Sequence, residues 1–245
     1  MIGAVVTGHT RGLGAAIAEN LLQRGVVVLG LARGSNDVLA TRFPGSLQQV
    51  ALDLADTDRL MKWLDGDVLG RFADRCERLL LVNDAGTLQP VGPLDMQDRG
   101  AIGHAVALNV TAPLMLAAAV AALASPAADR RVLHVSSGAA RNPYAGWSVY
   151  CATKAALDQH ARAVALHERA GLRICSAAPG VVDTDMQAEV RASTMEQFPM
   201  HDRFVEMQRG GGLIAPADAA ARLVAHLLGE TFGNVPVIDL RDLPA

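Results

Sequence analysis

Three side chains that could transfer a proton lie in one part of the sequence. Tyr150 and Lys154 stand at positions i and i+4 of SVYCATKAALD, and Ser137 lies upstream of them. Residues i and i+4 share a helix face, so the ammonium can lie beside the phenol. An adjacent cation would lower the pKa of the tyrosine, whose free value is about 10. The pattern predicts a tyrosine that acts as a general acid, although the same spacing also suits two unrelated residues on a surface helix.

A glycine-rich turn near the N-terminus could bind a phosphate. Residues 2–7, IGAVVT, have the composition of a strand, and Gly8, Gly12 and Gly14 follow in TGHTRGLG before a helical stretch. Glycine lets the backbone approach a ligand, and a helix N-terminus presents free N–H groups to an anion. A turn between a first strand and a helix indicates a dinucleotide site. Its Gly-x-x-x-Gly-x-Gly spacing differs from the commoner Gly-x-Gly-x-x-Gly.

Strand and helix patterns alternate along the chain. Apolar runs predict strands at 2–7, 26–32, 47–52, 78–82, 131–136, 172–177 and 235–239. Helical patterns cover 12–24, 56–72, 99–124, 148–169 and 216–228. This alternation predicts an α/β fold, a Rossmann-type doubly wound parallel sheet of about seven strands with helices on both faces. A chain of 245 residues is long enough for one such domain, spanning 1–245.

The composition limits the kinds of partner that we expect. A net charge of −3 gives no reason to expect nucleic acid or a membrane surface. The first residues already read as a strand and no apolar run is judged long enough for a membrane span, so neither a signal peptide nor a span is predicted. Cys76, Cys151 and Cys175 lack metal-ligand spacing, so no metal site is predicted. Reduced thiols are expected, and the protein is predicted to be cytoplasmic.

These motifs, in this order, resemble those of the short-chain dehydrogenase/reductase family. TGHTRGLG matches the family's cofactor loop, VNDAG at 82–86 its strand-four motif, and APGVVDT at 178–184 the segment beside the nicotinamide. Asn109 matches the family's active-site asparagine, and the serine, tyrosine and lysine described above match its other catalytic residues. The resemblance covers nearly the whole chain. One position departs, because Asp84 stands where the family usually has asparagine.

The resemblance implies an oxidoreductase with a nicotinamide cofactor. Tyr150 would donate the proton, and Ser137 would hold the carbonyl oxygen. Lys154 would lower the tyrosine pKa and hold the ribose, while Asn109 would place a water in the proton relay and Thr184 would hold the carboxamide. The residues implied to bind the cofactor are Gly8, Thr10, Arg11, Gly12, Leu13, Gly14, Arg33, Asp53, Leu54, Asn83, Ala85, Gly86, Tyr150, Lys154, Pro179, Gly180, Val182 and Thr184.

The end of the second strand bears on the choice of cofactor. NAD enzymes place an acidic residue there, which binds the ribose hydroxyls. VVVLGLARGS has no acid but carries Arg33, and Arg11 lies in the glycine turn. Two guanidinium groups suit a 2′-phosphate, so the sequence favours NADP(H), although both could be solvated surface residues. Asp53 resembles the family's contact to the adenine ring, or it caps the turn before the next helix.

The sequence also resembles the sepiapterin reductase and benzil reductase branch of the family, through GWSVYCATKAALD, APGVVDTDMQ and the final VIDLRD. In that branch an aspartate anchors a pterin ring at the position of Asp239, although an aspartate there can also be structural. Trp147 and Met186 are candidates for the substrate pocket, and Trp147 is equally suited to packing. The methionine-rich segment 185–212 is predicted to be a mobile lid or an ordinary pair of surface helices.

The leading hypothesis is an NADPH-dependent carbonyl reductase that acts on a vicinal diketone or an α-hydroxy ketone. One alternative is a redox-sensing NADP-binding protein without turnover, and another is an alcohol dehydrogenase that works in the oxidative direction. The only expected partner is a small-molecule carbonyl substrate, besides further copies of the chain. A homodimer or homotetramer is expected through helices 99–124 and 148–169, whose alanine-rich face suits close packing, or suits burial within one chain.

Overall fold

The strands of the predicted α/β fold are all present. The structure is a computed structural model that describes residues 1–124, 128–167 and 169–243. Seven parallel strands form one sheet in the order β3-β2-β1-β4-β5-β6-β7. Their bounds are β1 Ile2–Thr7, β2 Val27–Ala32, β3 Leu47–Ala51, β4 Arg78–Asn83, β5 Asp129–Val135, β6 Leu172–Ala178 and β7 Val237–Asp239. The predicted doubly wound sheet is therefore confirmed.

Helices cover both faces of this sheet. Their bounds are α1 Gly12–Gln23, α2 Asp37–Arg42, α3 Thr57–Leu64, α4 Val68–Ala73, α5 Arg99–Val106, α6 Ala112–Ala122, α7 Ser148–Ala165, α8 Asp185–Ala192, α9 His201–Arg209 and α10 Pro216–Leu228. Side chains alternate along each strand, so Val6 packs with Ile17 of α1 while Val5 packs with Leu116 of α6. An apolar layer on each face of the sheet packs against the helices that cover it. Strands that are apolar on both sides need to be covered on both faces.

Three predicted helices differ in their bounds. The predicted helix 56–72 is two helices, because Asp65-Gly66-Asp67 interrupts it. The predicted helix 99–124 contains a π-turn, Ala107–Thr111, which joins α5 to α6. The predicted helix 148–169 ends at Ala165. A further helix, α2, was not predicted, because its six residues are too few to show a helical periodicity.

The combined helix α5–α6 is long and apolar enough to cross a membrane by length and composition. It spans Arg99–Ala122 with a mean hydropathy of 1.9, and 39% of its apolar window is buried. The expectation that no apolar run reaches membrane length is thus wrong for this helix. Core helices of globular proteins have the same length and composition, and α6 packs on the sheet through Leu116 and Val120.

Candidate active site

A cavity of about 740 Å³ opens at the carboxyl ends of the strands. Residues that follow β1 through β7 contribute to its wall, because the carboxyl ends of parallel strands meet at one edge of the sheet. The strand order reverses between β1 and β4. Ligands of open α/β sheets bind in the crevice at such a reversal.

The turn between β1 and α1 forms the part of the wall that fits a phosphate. Gly8 has a φ of 75°, a conformation that favours glycine. A β-carbon on Gly14 would overlap the carbonyl oxygen of Gly8 and lie 2.6 Å from Oδ2 of Asp84. The glycines therefore leave the backbone uncovered by side chains where α1 begins. Free N–H groups at a helix N-terminus bind anions, so this turn fits the pyrophosphate of a dinucleotide.

Thr7 fastens the turn after β4 to the end of β1. Its hydroxyl oxygen accepts hydrogen bonds from the backbone N–H groups of Asp84 and Ala85, each at 3.0 Å. Its own proton goes to the Val82 carbonyl at 3.4 Å. Ala85 and Gly86 line the cavity beyond this turn. The backbone of the VNDAG motif is thus held by hydrogen bonds to the Thr7 hydroxyl, which do not depend on the side chain of residue 84.

The Asp84 carboxyl lies beside the N-terminus of α1, where the backbone N–H of Gly14 donates to it. Burial raises the pKa of Asp84 to about 7, and the nearby Lys154 ammonium and the Gly14 hydrogen bond oppose this rise. An asparagine at this position could accept the same hydrogen bond without titrating. The cavity therefore contains a carboxyl group whose charge changes near neutral pH.

Ser137 and Tyr150 meet in the cavity wall, and their hydroxyl groups are hydrogen-bonded to each other. Tyr150 belongs to α7, and its ring lies edge-on to Trp147 with centroids 5.8 Å apart. Burial raises the pKa of Tyr150 to about 12, while the Ser137 hydrogen bond opposes the rise. The phenol is therefore protonated at neutral pH and carries a proton that it can donate to a substrate oxygen.

Lys154 lies one helical turn after Tyr150, with Nζ 5.7 Å from the centre of the tyrosine ring. Its ammonium donates to the Val135 carbonyl at 2.8 Å. Burial lowers the pKa of Lys154 to about 8, and the carboxylates of Asp84 and Asp158 oppose this fall. The sequence predicted that Lys154 lowers the tyrosine pKa. In the protein by itself the tyrosine pKa is instead raised, because burial of the phenol has a larger effect than the hydrogen bond to Ser137, which lowers it.

Asn109 occupies the π-turn and is 1% exposed. Its Oδ1 accepts from the Thr87 N–H at 2.9 Å, and its Nδ2 donates to the Thr87 carbonyl at 2.8 Å. Nδ2 also donates to the Thr153 hydroxyl at 3.2 Å. The amide thus ties the loop after β4 to α7. Its side chain does not line the cavity, so any effect on a proton relay passes through the backbone that it holds.

The two arginines that favoured NADP(H) both line the cavity. Arg33 is exposed just after β2, and no described residue forms an ion pair with it. Arg11 pairs with Asp185 at 3.3 Å, with both side chains about 70% exposed (69% and 71%). An exposed pair of this kind contributes little to stability, so Arg11 can exchange its partner for a phosphate.

Asp53 stabilises a turn and also lines the cavity, so its position is compatible with both of the roles that the sequence left open. It lines the cavity together with Leu54, as an adenine contact would require. Its Oδ1 also accepts the Ala55 N–H at 3.0 Å, which stabilises the turn after β3. The cap before α3 is a different residue, Asp56, whose Oδ1 accepts the Arg59 N–H.

The segment after β6 runs along the cavity between the glycine turn and α8. Pro179, Gly180, Val182 and Thr184 all line the cavity. Val182 pairs with Ile214 in an isolated β-bridge, which fixes the path of the segment. Thr184 is the residue before α8, and its Cγ2 lies 3.5 Å from the point where a β-carbon on the second glycine of the turn would stand.

Segment 185–212 folds back over an aromatic cluster beside Tyr150. It contains α8 and α9. The Trp147 ring stacks on Phe198 with centroids 4.3 Å apart and an angle of 3°, and Phe204 lies 5.5 Å from the same ring. Met186 and Phe204 line the cavity. The cavity wall near Tyr150 therefore includes an aromatic cluster that is partly formed by this segment.

Asp239, the predicted substrate anchor, lies behind an arginine. Its side chain is 7% exposed and does not line the cavity. Its two carboxylate oxygens accept from Nε and Nη2 of Arg241 at 2.9 and 2.7 Å, and Arg141 donates to it at 3.4 Å. These arginines hold the pKa of Asp239 below its ordinary value. The side chain that reaches the cavity from the end of β7 is Arg241.

Most of the predicted site residues line this one cavity. They are Gly8, Thr10, Arg11, Gly12, Leu13, Arg33, Asp53, Leu54, Ala85, Gly86, Ser137, Trp147, Tyr150, Lys154, Pro179, Gly180, Val182, Thr184 and Met186. Gly14, Asn83, Asn109 and Asp239 do not line it. The side chain of Asn83 is buried and instead donates to the Pro113 carbonyl at 3.3 Å and contacts His134 Nδ1 at 3.1 Å.

Sequence reasoning missed several residues of the substrate end. Those that line the cavity there are Leu88, Tyr144, Val190, Arg203, Phe204, Met207 and Arg241. Tyr144 stood close to Trp147 in NPYAGW and could have been noticed as a second aromatic residue. The others come from distant parts of the chain, and nothing in their local sequence distinguishes them from packing residues.

The family model of the short chain dehydrogenases matches residues 3–195. The chain belongs to this family. Benzil reductase ((S)-benzoin forming) of Bacillus cereus is 33% identical to it over 241 residues, with 96% of this chain and 97% of the relative covered. Sepiapterin reductase of Rattus norvegicus is 34% identical over 254 residues, with 98% and 96% covered. The resemblance to this branch of the family is confirmed.

A solved short-chain dehydrogenase/reductase from Burkholderia vietnamiensis has the same fold. It is 48% identical, superposes with a TM-score of 0.72, and covers 99% of this chain and 98% of its own. The protein is thus an oxidoreductase whose family uses nicotinamide cofactors and acts on small molecules, commonly as oligomers. The bare glycine turn, the basic side chains near β2 and the hydroxyl pair in the cavity wall fit such a cofactor.

Proposed function

We propose that the protein reduces a carbonyl group to an alcohol with NADPH, on a compact aromatic or pterin-like substrate of the vicinal diketone or α-hydroxy-ketone type. One observation carries this proposal. Ser137, Tyr150 and Lys154 lie in the wall of the same cavity as the glycine turn Gly8–Gly14. The printed activities of the relatives, a benzil reductase and a sepiapterin reductase, support the substrate type.

Each of the side chains of Ser137, Tyr150 and Lys154 has its own role in the proposed reaction. Hydride for the carbonyl carbon would come from a nicotinamide bound in the cavity. Ser137 donates a hydrogen bond to the carbonyl oxygen and stabilises the negative charge that develops there. Tyr150 transfers its proton to that oxygen, which completes the hydroxyl group of the product. Lys154 lies behind the phenol, and its positive charge stabilises the phenolate that remains until the proton is replaced.

NADPH is the proposed cofactor because of the charges around the end of β2. Arg33 is exposed there without an ion-pair partner among the described residues, and no acid occupies the position after the strand. A guanidinium group binds phosphate through charge-assisted hydrogen bonds. An acid would instead be expected for the free ribose hydroxyls of NADH.

The apolar substrate end supports an aromatic substrate. Trp147 lies beside Tyr150, Phe204 packs against Trp147, and Met186 reaches the cavity from α8. We propose that segment 185–212 is a lid, since it forms part of this wall and its aromatic contacts can break and re-form as substrate enters. A flat ring would pack against these side chains.

We propose that the protein forms a homodimer or homotetramer through α5–α6 and α7. Less than half of the apolar window Arg99–Ala122 is buried within one chain, and covering the remainder would remove apolar surface from water. Light scattering at working concentration should give a multiple of 25.7 kDa, and a monomer would remove this proposal.

The cytoplasm is the proposed compartment, supported by three free cysteines, Cys76, Cys151 and Cys175.

The test is a cofactor oxidation screen with purified protein. Benzil, sepiapterin, isatin, simple diketones and simple aldehydes are offered with NADPH and, separately, with NADH. We expect turnover of at least one vicinal diketone with NADPH and much slower turnover with NADH. Absence of turnover on every carbonyl compound would reject the proposed reaction, whereas equal rates with both cofactors would reject only the cofactor.

A further inference from the structure

The turn after β7 brings a guanidinium group to the catalytic end of the cavity. Arg241 lies in the turn Leu240–Asp242, lines the cavity and has a side chain that is 60% exposed. A β-carbon on Gly138 would lie 4.0 Å from its Nη2, and one on Gly180 would lie 3.9 Å from its Cγ and Cδ. Gly138 directly follows Ser137. The guanidinium thus lies between the turn that carries the catalytic serine and the segment after β6.

Asp239 fixes this guanidinium in place. The carboxylate accepts from the Arg241 backbone N–H at 3.0 Å, from Nε at 2.9 Å and from Nη2 at 2.7 Å. Two parallel side-chain hydrogen bonds of this kind restrict the orientation of the planar group. A pre-oriented side chain loses little conformational entropy when a ligand binds to it.

The Asp239 carboxylate accepts hydrogen bonds from two guanidinium groups. Arg141 also donates to Asp239, at 3.4 Å. Within the described part of the chain, no other acceptor hydrogen-bonds to either guanidinium, and Nη1 of Arg241 has no hydrogen-bond partner. Glu189 and Arg203 also line this end, and the charge of the neighbouring Asp242 carboxylate acts on Arg241 as well. These charges balance in number, and the free N–H donors of Arg241 face the space beside Ser137.

We propose that Arg241 selects the substrate by binding a carboxylate attached to the carbonyl carbon, so that the enzyme favours 2-oxo acids over neutral vicinal diketones. The inference rests on the proposed carbonyl reduction and moves its preferred substrate from a neutral diketone to a 2-oxo acid. Hydride addition to the ketone carbon and protonation of its oxygen convert the 2-oxo acid to a 2-hydroxy acid. The end of β7 thus offers a hydrogen-bond donor to the substrate, where the sequence predicted the acceptor Asp239.

Phenylglyoxylate and its methyl ester form a matched pair of substrates, because they share the ring and the reacting ketone and differ in the charge of the neighbouring group. For the wild type we expect a higher kcat/KM for the acid than for the ester. Arg241→Met keeps an unbranched side chain without the charge. It should lower kcat/KM for the acid by about 10–150-fold, the loss expected for a charge-assisted hydrogen bond, and change the ester only slightly.

Two further variants separate recognition from damage to the fold. Arg241→Met leaves the buried Asp239 carboxylate with Arg141 as its one guanidinium partner, besides the backbone N–H of residue 241. The double variant with Asp239→Asn therefore removes this less compensated charge as well. The double variant should show the same selective loss for the acid. Arg203→Met removes another cavity-lining guanidinium and should affect acid and ester alike.

Several results would overturn the assignment of Arg241. They are an equal loss for acid and ester in both Arg241 variants, a selective loss for the acid in Arg203→Met, or a wild type that prefers the ester. In each case turnover of the ester by the wild type shows that carbonyl reduction itself stands. If the wild type reduces neither compound nor any diketone, the proposed function fails together with the inference.

Discussion

Replacing Asp84 with asparagine should make the protein more stable, and more so at alkaline pH. The carboxyl lies beside Gly14 at the start of α1, and burial raises its pKa from 3.8 to about 7. A raised pKa of an acid means that the folded state binds more protons than the unfolded state between these two values. Stability therefore falls as the pH rises from about 4 to about 7, and the full penalty is present above pH 7.

The size of this effect follows from the two pKa values. One pKa unit corresponds to about 1.36 kcal/mol, so the penalty is about 1.5 kcal/mol at pH 5 and about 4 kcal/mol at pH 8. Asp84→Asn keeps an acceptor for the Gly14 N–H and removes the penalty. The free energy of unfolding of the variant should thus exceed that of the wild type by these amounts.

Urea denaturation of both proteins at pH 5 and pH 8, without cofactor and at one protein concentration, measures the difference. Asp95→Asn is the matched control, since it removes one exposed carboxylate in the turn Leu94–Met96 and tests the effect of net charge alone. A difference between Asp84→Asn and the wild type that is equal at both pH values would refute the reasoning. A variant that is less stable than the wild type at pH 8 would refute it as well.

Three shorter predictions concern the site. Tyr150→Phe should lower kcat by at least ~100-fold and leave the Kd of NADPH nearly unchanged, which fluorescence titration and steady-state kinetics can check together. Arg33→Ala should raise the KM for NADPH by about 10–150-fold and that for NADH little, and equal changes would contradict the phosphate contact. Gly14→Ala should weaken NADPH binding measured by titration, because its methyl group would overlap the Gly8 carbonyl and crowd Asp84; unchanged binding would show that the turn can move.

Local sequence patterns were sufficient for the sheet, the glycine turn and the catalytic pair. The order of apolar runs predicts parallel strands because five of the first six runs, all but 26–32, are followed by a helical pattern long enough for a crossover. The spacing of Tyr150 and Lys154 needs only helix geometry. These features depend on residues close together in the chain, so they can be recognised without knowledge of the tertiary structure.

The electrostatics of the site could not be predicted in this way. The pKa of Tyr150 depends on how deeply the phenol is buried, and the aromatic residues near it are Trp147 and its stacking partner Phe198 in segment 185–212. Helical spacing indicated that Lys154 could lie beside the phenol. It did not indicate that the ammonium donates to the Val135 carbonyl on the neighbouring strand.

Asp239 shows how a residue's position in a motif can mislead about its contacts. The motif VIDLRD locates the aspartate at the end of the last strand, which is where β7 ends. The carboxylate direction, however, is decided by Arg241 two positions later and by Arg141 from the turn after β5. A buried carboxylate with two guanidinium partners is satisfied before any ligand arrives, so the side chain left to contact a ligand is the exposed partner, Arg241. In the proposed substrate site it is therefore Arg241, and not the aspartate, that would contact the substrate.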